Sequence, residues 1–398
     1  MRASYLEVAE RIGARLCRDA LWSRGRCNWT ADRAEGRATV HASLGPLLYD
    51  GTAGIALSLW RLAEVTGERI FRLTAEAALR HALSKLPVAG SGLYAGAPGI
   101  LFAASQMGRE IDETQALEAA ALRPEMFDLI GGSAGAIIVL LCLYRAGGNA
   151  RLLETAVCHG DLLLSQATRA EEGWSWKTIR AVRNCTGISH GAAGIAWALL
   201  ELWQIIREER FRAAALEAFR YERTCFDPHR QAWPDFREEP TQYPALWCHG
   251  AVGIGFSRLR AWQILKDDQC LTEARIALAR TTDPAMAPAN YSLCHGKLGN
   301  ADFLIHASQV LGEETWLATA ERVAQEAIDL FERRRLPWPC GLPAANETPD
   351  LMLGLAGIAY FYLRLSDPSR IPTVLLSQVC CAADPLVRAG PPGPASSH

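Results

Sequence analysis

The sequence has no excess of either charge. Its 41 Lys and Arg face 43 Asp and Glu, a formal net charge of −2 over 398 residues. That argues against a dedicated nucleic-acid binder, which needs a basic surplus. Long apolar runs are missing too. Even the strongly apolar stretch between Asp128 and Arg145 is 16 residues, Gly-rich in its first half, whereas roughly 20 are needed to cross a bilayer. The N-terminus, MRASYLEVAERIGARLCRDAL, is charged on almost every turn and has no apolar core followed by small cleavage residues, so no secretory signal is expected. The 12 cysteines form no C-x-x-C pair and no regular framework; they read as reduced thiols of a cytoplasmic protein, a few of them metal ligands. Strand-like alternation is scarce as well. What is abundant is apolar residue, 49 % against 21 % charged, the composition of a globular protein. Length alone would suggest two or three domains.

One pattern recurs from end to end: a Gly, two further residues, a second Gly, then an apolar run. It reads DGTAGIALSLW (Gly51, Gly54), AGAPGILFAA (Gly96, Gly99), GGSAGAIIVLL (Gly132, Gly135) and HGAAGIAWALL (Gly191, Gly194). It returns as HGAVGIGFSRL (Gly250, Gly253), HGKLGNADFLI (Gly296, Gly299) and LGLAGIAYFYL (Gly354, Gly357). The first glycines lie 45, 36, 59, 59, 46 and 58 residues apart, and repeats at that interval decide architecture. Between the apolar runs lie more charged segments of helical period, such as FRLTAEAALRHALSKL and TWLATAERVAQEAIDLFERRR, so each unit reads as a helix pair. The glycines permit a tight turn and a close helix contact that a Cβ would block. An apolar and an amphipathic helix per repeat suggest two concentric rings. An open solenoid is the alternative, but solenoids need polar capping repeats, and neither terminal copy is more polar than the rest. The expectation is an all-α closed α/α toroid spanning residues 1–385 as one domain, with a disordered Pro/Gly/Ser tail at 386–398. Its seven turns would gather at one end.

The residue before each first glycine then carries the chemistry. It is Asp50, Ala95 and Gly131 in the first three copies and Leu353 in the last, but His190, His249 and His295 in the middle three. Cys248 and Cys294 precede the last two of these histidines. If the turns converge, Cys248, Cys294 and a histidine meet although 46 residues separate the cysteines. Two thiolates and an imidazole are a natural zinc set, and three protein ligands leave one tetrahedral position open, as in catalytic sites. The competing account is small buried cysteines and turn-capping histidines brought there by chance. Cys158-His159-Gly160 has the same letters, lacks the second Gly, and falls in an outer-helix segment; it is assigned to chance.

The stretches YERTCFDPHRQAWPDFREE, LWCHGAVGIGFSRLRA, YSLCHGKLGNADFLI and ETPDLMLGLAGIAYFYLRLSDPSRIPTVLL resemble lanthionine synthetase C-like cyclases, above all the cyclase domain that ends bifunctional class II lanthipeptide synthetases. Upstream, GPLLYDGTAGIALSLWRLAEVTG, FDLIGGSAGAIIVLL and GISHGAAGIAWALLEL follow the same order, so the resemblance covers roughly residues 40–377. It implies a zinc-dependent thioether cyclase with an α/α-toroid fold, the Zn2+ held by Cys248, Cys294 and His295. The implied substrate is a dehydrated ribosomal precursor peptide, whose Cys thiol adds to dehydroalanine or dehydrobutyrine to give lanthionine or methyllanthionine. A zinc site suits that chemistry, because only the thiolate is a good nucleophile and a free thiol has a pKa of about 8.5. His190 matches the family's SHG histidine and is the leading proton donor to the enolate, since imidazole titrates near neutrality. Asp128 matches an acidic position before the third turn and would orient a histidine or take the thiol proton, unless it is a helix N-cap. His249, next to Cys248, either moves protons or only supports the site. Arg237, in WPDFRE, contacts peptide or enolate, or forms a structural salt bridge.

The sequence departs from the family in places. Class II synthetases carry a long dehydratase ahead of the cyclase, so a free-standing cyclase served by a separate dehydratase, or an excised domain, is expected. Free-standing cyclases have an Arg shortly before the first zinc Cys; Tyr243-Pro244-Ala245-Leu246 stands there instead. The Pro of the family's HGAPG turn is replaced by Ala251-Val252, although Pro98 is present in the second copy. Two other classes compete: a non-catalytic protein that holds zinc and a thiol peptide, and a toroid glycosidase with Asp50 and Asp128 as its acids.

Overall fold

A computed structural model of the chain describes residues 2–35, 38–123, 125–342 and 347–377; the expected tail at 386–398 lies outside the described residues. The chain opens with helix α1 (Arg2–Arg18) and two short antiparallel hairpins, β1 (Leu21–Ser23) with β2 (Arg26–Asn28) and β3 (Thr30–Glu35) with β4 (Ala38–Ser43). From there helices alternate: α2 (Thr52–Thr66), α3 (Arg69–Leu83), α4 (Ala97–Gln106), α5 (Glu113–Ala119), α6 (Ser133–Gly147), α7 (Ala150–Gln166). A third hairpin, β5 (Thr168–Ala170) with β6 (Gly173–Ser175), leads to α8 (Ala192–Ile206), α9 (Glu209–Cys225), α10 (Ala251–Leu265) and α11 (Asp268–Thr282). Then come α12 (Lys297–Leu311), α13 (Glu314–Ala327) and α14 (Leu355–Ser366).

Every even-numbered helix starts at the residue after the first glycine of a pair, and these seven form the inner ring. Each packs on the next even-numbered helix, and α14 packs back on α2, which closes the circle. Their composition explains the position: α8 is buried at every residue from Ala192 to Leu202. The helix outside it, α9, buries only Phe211, Ala214, Ala215, Ala218, Phe219, Tyr221 and Glu222, one face of a helix at 3.6-residue period. Helices α3, α5, α7, α9, α11 and α13 each cover the inner helix before them. The seventh cover comes from the other end of the chain: α1 packs on α14. The repeat pattern did not anticipate this clasp, because α1 has no glycine pair of its own.

The second glycine of each pair is a packing requirement. A Cβ on Gly253 would lie 2.1 Å from the Trp247 carbonyl oxygen, and one on Gly299 1.9 Å from that of Leu293. In all seven copies the obstructing atom is the carbonyl six residues earlier, so the turn folds back against the first turn of its own helix. The positions two before each first glycine meet in a ring of main-chain hydrogen bonds. Tyr49 N–H donates to Tyr94 O, Tyr94 to Ile130, Ser189 to Cys248, Cys248 to Cys294, Cys294 to Met352, and Met352 back to Tyr49. Among the described residues the link from Ile130 to Ser189 is not made. The convergence of the turns at one end is therefore built from backbone, and it places the following residues side by side.

Two buried features brace this end. Arg258 on α10 is fully buried and donates to Glu222 on α9 at 2.8 Å and to Glu273 on α11, while Glu222 Oε1 accepts from Gly187 N at 2.8 Å and Ala193 N at 3.1 Å. The outer helices thereby hold the backbone on either side of His190. After α14, residues 373–377 are buried inside the ring. Trp247 Nε1 donates to Leu375 O at 2.9 Å and Tyr94 Oη to Val374 O at 2.6 Å, from turns far apart in the ring. Thr373 Oγ1 bonds the Asp302 carboxylate, which also accepts from Arg364 at 2.6 Å.

Candidate functional site

Where the turns converge, a cavity of about 370 Å³ opens, lined among others by Tyr49, His190, Arg237, Trp247, His249 and the Cys248, Cys294, His295 group. Cys248 ends the turn before α10, and Cys294-His295 the turn before α12. The Cys248 N–H···O Cys294 bond at 3.2 Å brings their side chains onto one wall. The candidate ligand atoms of Cys248, Cys294 and His295 all lie within 4.8 Å of one another. Tetrahedral zinc with bonds of about 2.0–2.3 Å needs ligands about 3.3–3.8 Å apart, so the three fit with a small contraction.

The surroundings prepare these donors. His295 Nε2 lies 2.7 Å from Gly341 O. A carbonyl only accepts, so Nε2 carries the proton and Nδ1 keeps its lone pair for a metal. Hydrogen bonding from the Cys294 thiol, then from His295, holds the Cys248 thiol well below its ordinary pKa. Burial and the neighbouring Cys248 charge push Cys294 up. Burial works against protonation of His295, but the Cys248 thiolate and Gly341 carbonyl outweigh it and raise its pKa. Both shifts favour negative charge on Cys248 and a proton on His295, the proton a bound dication would displace. Tyr49 Oη donates to Cys294 Sγ at 2.9 Å.

A second group adjoins the same cavity. His190 Nδ1 is 2.6 Å from Asp128 Oδ2, and Asp128 Oδ1 accepts from Gly131 N at 2.8 Å. Asp128 therefore caps its own turn and orients His190, spanning the gap in the backbone ring between the third and fourth turns. With both oxygens engaged it is not free to act as one of two glycosidase acids. His249 is buried and stacks on His190, ring centroids 5.7 Å apart at 28°. Its Nε2 is 3.3 Å from Ser189 Oγ, and burial pulls its pKa down to about 4. Its Nδ1 has no hydrogen-bond partner and lies 3.8 Å from Asp235 Oδ1. Arg237 lines the cavity and is also the expected salt-bridge partner, meeting Asp235 through Nε at 3.0 Å and Nη2 at 2.7 Å.

Six of the seven predicted site residues thus line one cavity, and the seventh, Asp128, reaches it through its bond to His190. Cys158 is exposed on α7, and His159 beside it is a satisfied core histidine, bonded to Ser133 Oγ at 3.0 Å and Ala120 O at 2.7 Å. Reading only the residue before each glycine missed Tyr49, which stands at the same register as Cys248 and Cys294. It also missed Asp235, two residues from Arg237. The Gly341 carbonyl has no sequence signal. No helix among the described residues is long and apolar enough to cross a membrane.

The family model for lanthionine synthetase C-like protein matches residues 42–376. Among solved structures, nisin cyclase superposes with a TM-score of 0.65 at 17 % identity, covering 84 % of this chain and 91 % of that one. A GH76 α-mannanase of Bacteroides thetaiotaomicron does so at 0.55 with 13 % identity, covering 92 % and 96 %; both likenesses establish the α/α-toroid fold. Glutathione S-transferase LANCL1 of Danio rerio is 24 % identical over 190 residues, 46 % of this chain. The chain thus spans 44 % of that relative's length.

Proposed function

The chain belongs to the lanthionine synthetase C-like family, and from that premise we propose that it is a cytoplasmic, zinc-dependent cyclase closing thioether rings in a dehydrated ribosomal precursor peptide. The observation that carries the reading is one cavity lined both by the ligand set Cys248, Cys294 and His295 and by His190, which Asp128 holds from behind. Zinc held by those three ligands would keep its fourth position for a peptide cysteine and lower that thiol's pKa.

The chain's own residues then manage one proton and one developing charge. Asp128 fixes the proton on His190 Nδ1, so Nε2 is the basic atom and takes the proton from the incoming thiol. As the sulfur–carbon bond forms at Cβ of the dehydro residue, the alkene electrons move to the carbonyl oxygen. His190 returns its proton to Cα, and the ring is complete with no atom gained or lost. Arg237 offers donors to the oxygen while it carries charge. His249, kept neutral by burial, packs His190 in place. The peptide arrives already dehydrated, the work of a separate dehydratase.

Incubating the purified protein with a dehydrated Cys-containing peptide tests this. Free thiol should disappear at unchanged peptide mass. Persistence of the thiol across peptides of varied ring size, with zinc bound, would leave only a zinc- and thiol-binding protein.

A further inference from the structure

Resting on the functional reading above, we infer that Asp235 is a positioning residue that turns Arg237 into an oxyanion-binding fork aimed into the cavity. Four bonds converge on Asp235: Arg237 Nε to Oδ1 at 3.0 Å and to Oδ2 at 3.2 Å, Nη2 to Oδ2 at 2.7 Å, and the Arg237 backbone N–H to Oδ1 at 3.0 Å. The carboxylate is nearly inaccessible, 6 % exposed, whereas the guanidinium is 38 % exposed. Such a pair is bidentate and planar, so it fixes the orientation of the whole guanidinium rather than its distance alone. Nη1 is left over: among the described residues it has no protein acceptor. The loop bearing both residues is itself fixed, since Asp235 N donates to Gln242 O at 2.8 Å and Val182 N to Phe236 O at 3.1 Å.

The ligand this fork suits is a planar oxygen that gains negative charge, such as the carbonyl of an α,β-unsaturated residue as a thiolate adds. A long, flexible Arg would lose rotamer freedom on binding that oxygen; Asp235 removes the cost in advance. Asp235 also lies 3.8 Å from His249 Nδ1, too far for a hydrogen bond, so its bonds are committed to Arg237.

The probe is a synthetic peptide carrying one cysteine and one dehydroalanine. Asp235→Ala should lower kcat about tenfold or more with KM little changed and zinc content at the wild-type level. Arg237→Ala should regain about tenfold on addition of guanidinium at non-denaturing concentration, and the Asp235→Ala, Arg237→Ala double variant should regain nothing. Equal rescue of single and double variants, or a wild-type kcat in Asp235→Ala, would overturn the assignment. A second readout does not need turnover. The Arg237 Nε–H resonance, identified by its loss in Arg237→Lys, should be protected from exchange in wild type and lost in the isosteric Asp235→Asn. If wild type closes no ring but this protection behaves as stated, the functional reading fails and the positioning stands. If the resonance is equally protected in Asp235→Asn, the positioning fails whatever the activity.

Discussion

The donor atoms of the candidate metal site are set less by the three side chains than by what touches them. Gly341 O fixes the His295 tautomer, and Tyr49 Oη supports the Cys294 sulfur. Outer contacts of this kind commonly carry 10- to 100-fold of metal affinity, so Tyr49→Phe should weaken zinc binding by about tenfold or more in a chelator competition, with secondary structure unchanged. His190→Asn should lower ring closure by about 10²–10⁴-fold while leaving zinc content intact, a pairing that separates proton handling from metal holding. Cys248, Cys294, His295 and His190 were legible in the sequence because a fixed register to a glycine pair marks them. Tyr49 shares that register, but its phenol is not a usual zinc ligand. A backbone carbonyl such as that of Gly341 has no letter at all.

At the scale of elements, the glycine pairs are geometry before they are chemistry. Gly253→Ala would press a Cβ into the Trp247 carbonyl at 2.1 Å, beside the proposed zinc ligand Cys248, and relief requires moving the turn. A loss of about 3 kcal/mol or more in urea unfolding is expected, together with weaker zinc binding. Gly147, in the last turn of α6, has open space around it. Gly147→Ala there should be neutral or gain about 0.5–1 kcal/mol. The contrast isolates the repeat glycine from glycine in general. Helix pairs and their inner and outer assignment were readable from apolar runs and amphipathic period. The three hairpins and the closure by α1 were not, because they answer to neighbours distant in the chain.

For the whole molecule, the ring buries polar groups that tie its stability to pH. Burial lowers His159 to about 4 and His306 to about 3, below the unfolded value of about 6.5. Both are neutral when folded and take up protons on unfolding, so their contribution is full above pH 6.5 and lost as pH falls. The loss is about 2 kcal/mol each by pH 5. Asp350 runs the other way, raised by burial to about 6, and returns about 1 kcal/mol over the same interval. Metal-free protein should therefore unfold at lower urea at pH 5 than at pH 7.5, and His159→Gln should shrink that difference by about 2 kcal/mol. Among the described residues the seven turns and their inner helices make one closed circuit. Its centre is where two cysteines and a histidine, from turns apart in sequence, gather into a candidate metal site. Zinc K-edge absorption on the loaded protein, before and after adding a cysteine peptide, tests that centre most directly. Two sulfur neighbours should become three when the peptide thiol enters the fourth position, and the Cys248→Ala, Cys294→Ala variant should hold no stoichiometric zinc. A count that stays at two with peptide bound, or full zinc retention in the double variant, would contradict it.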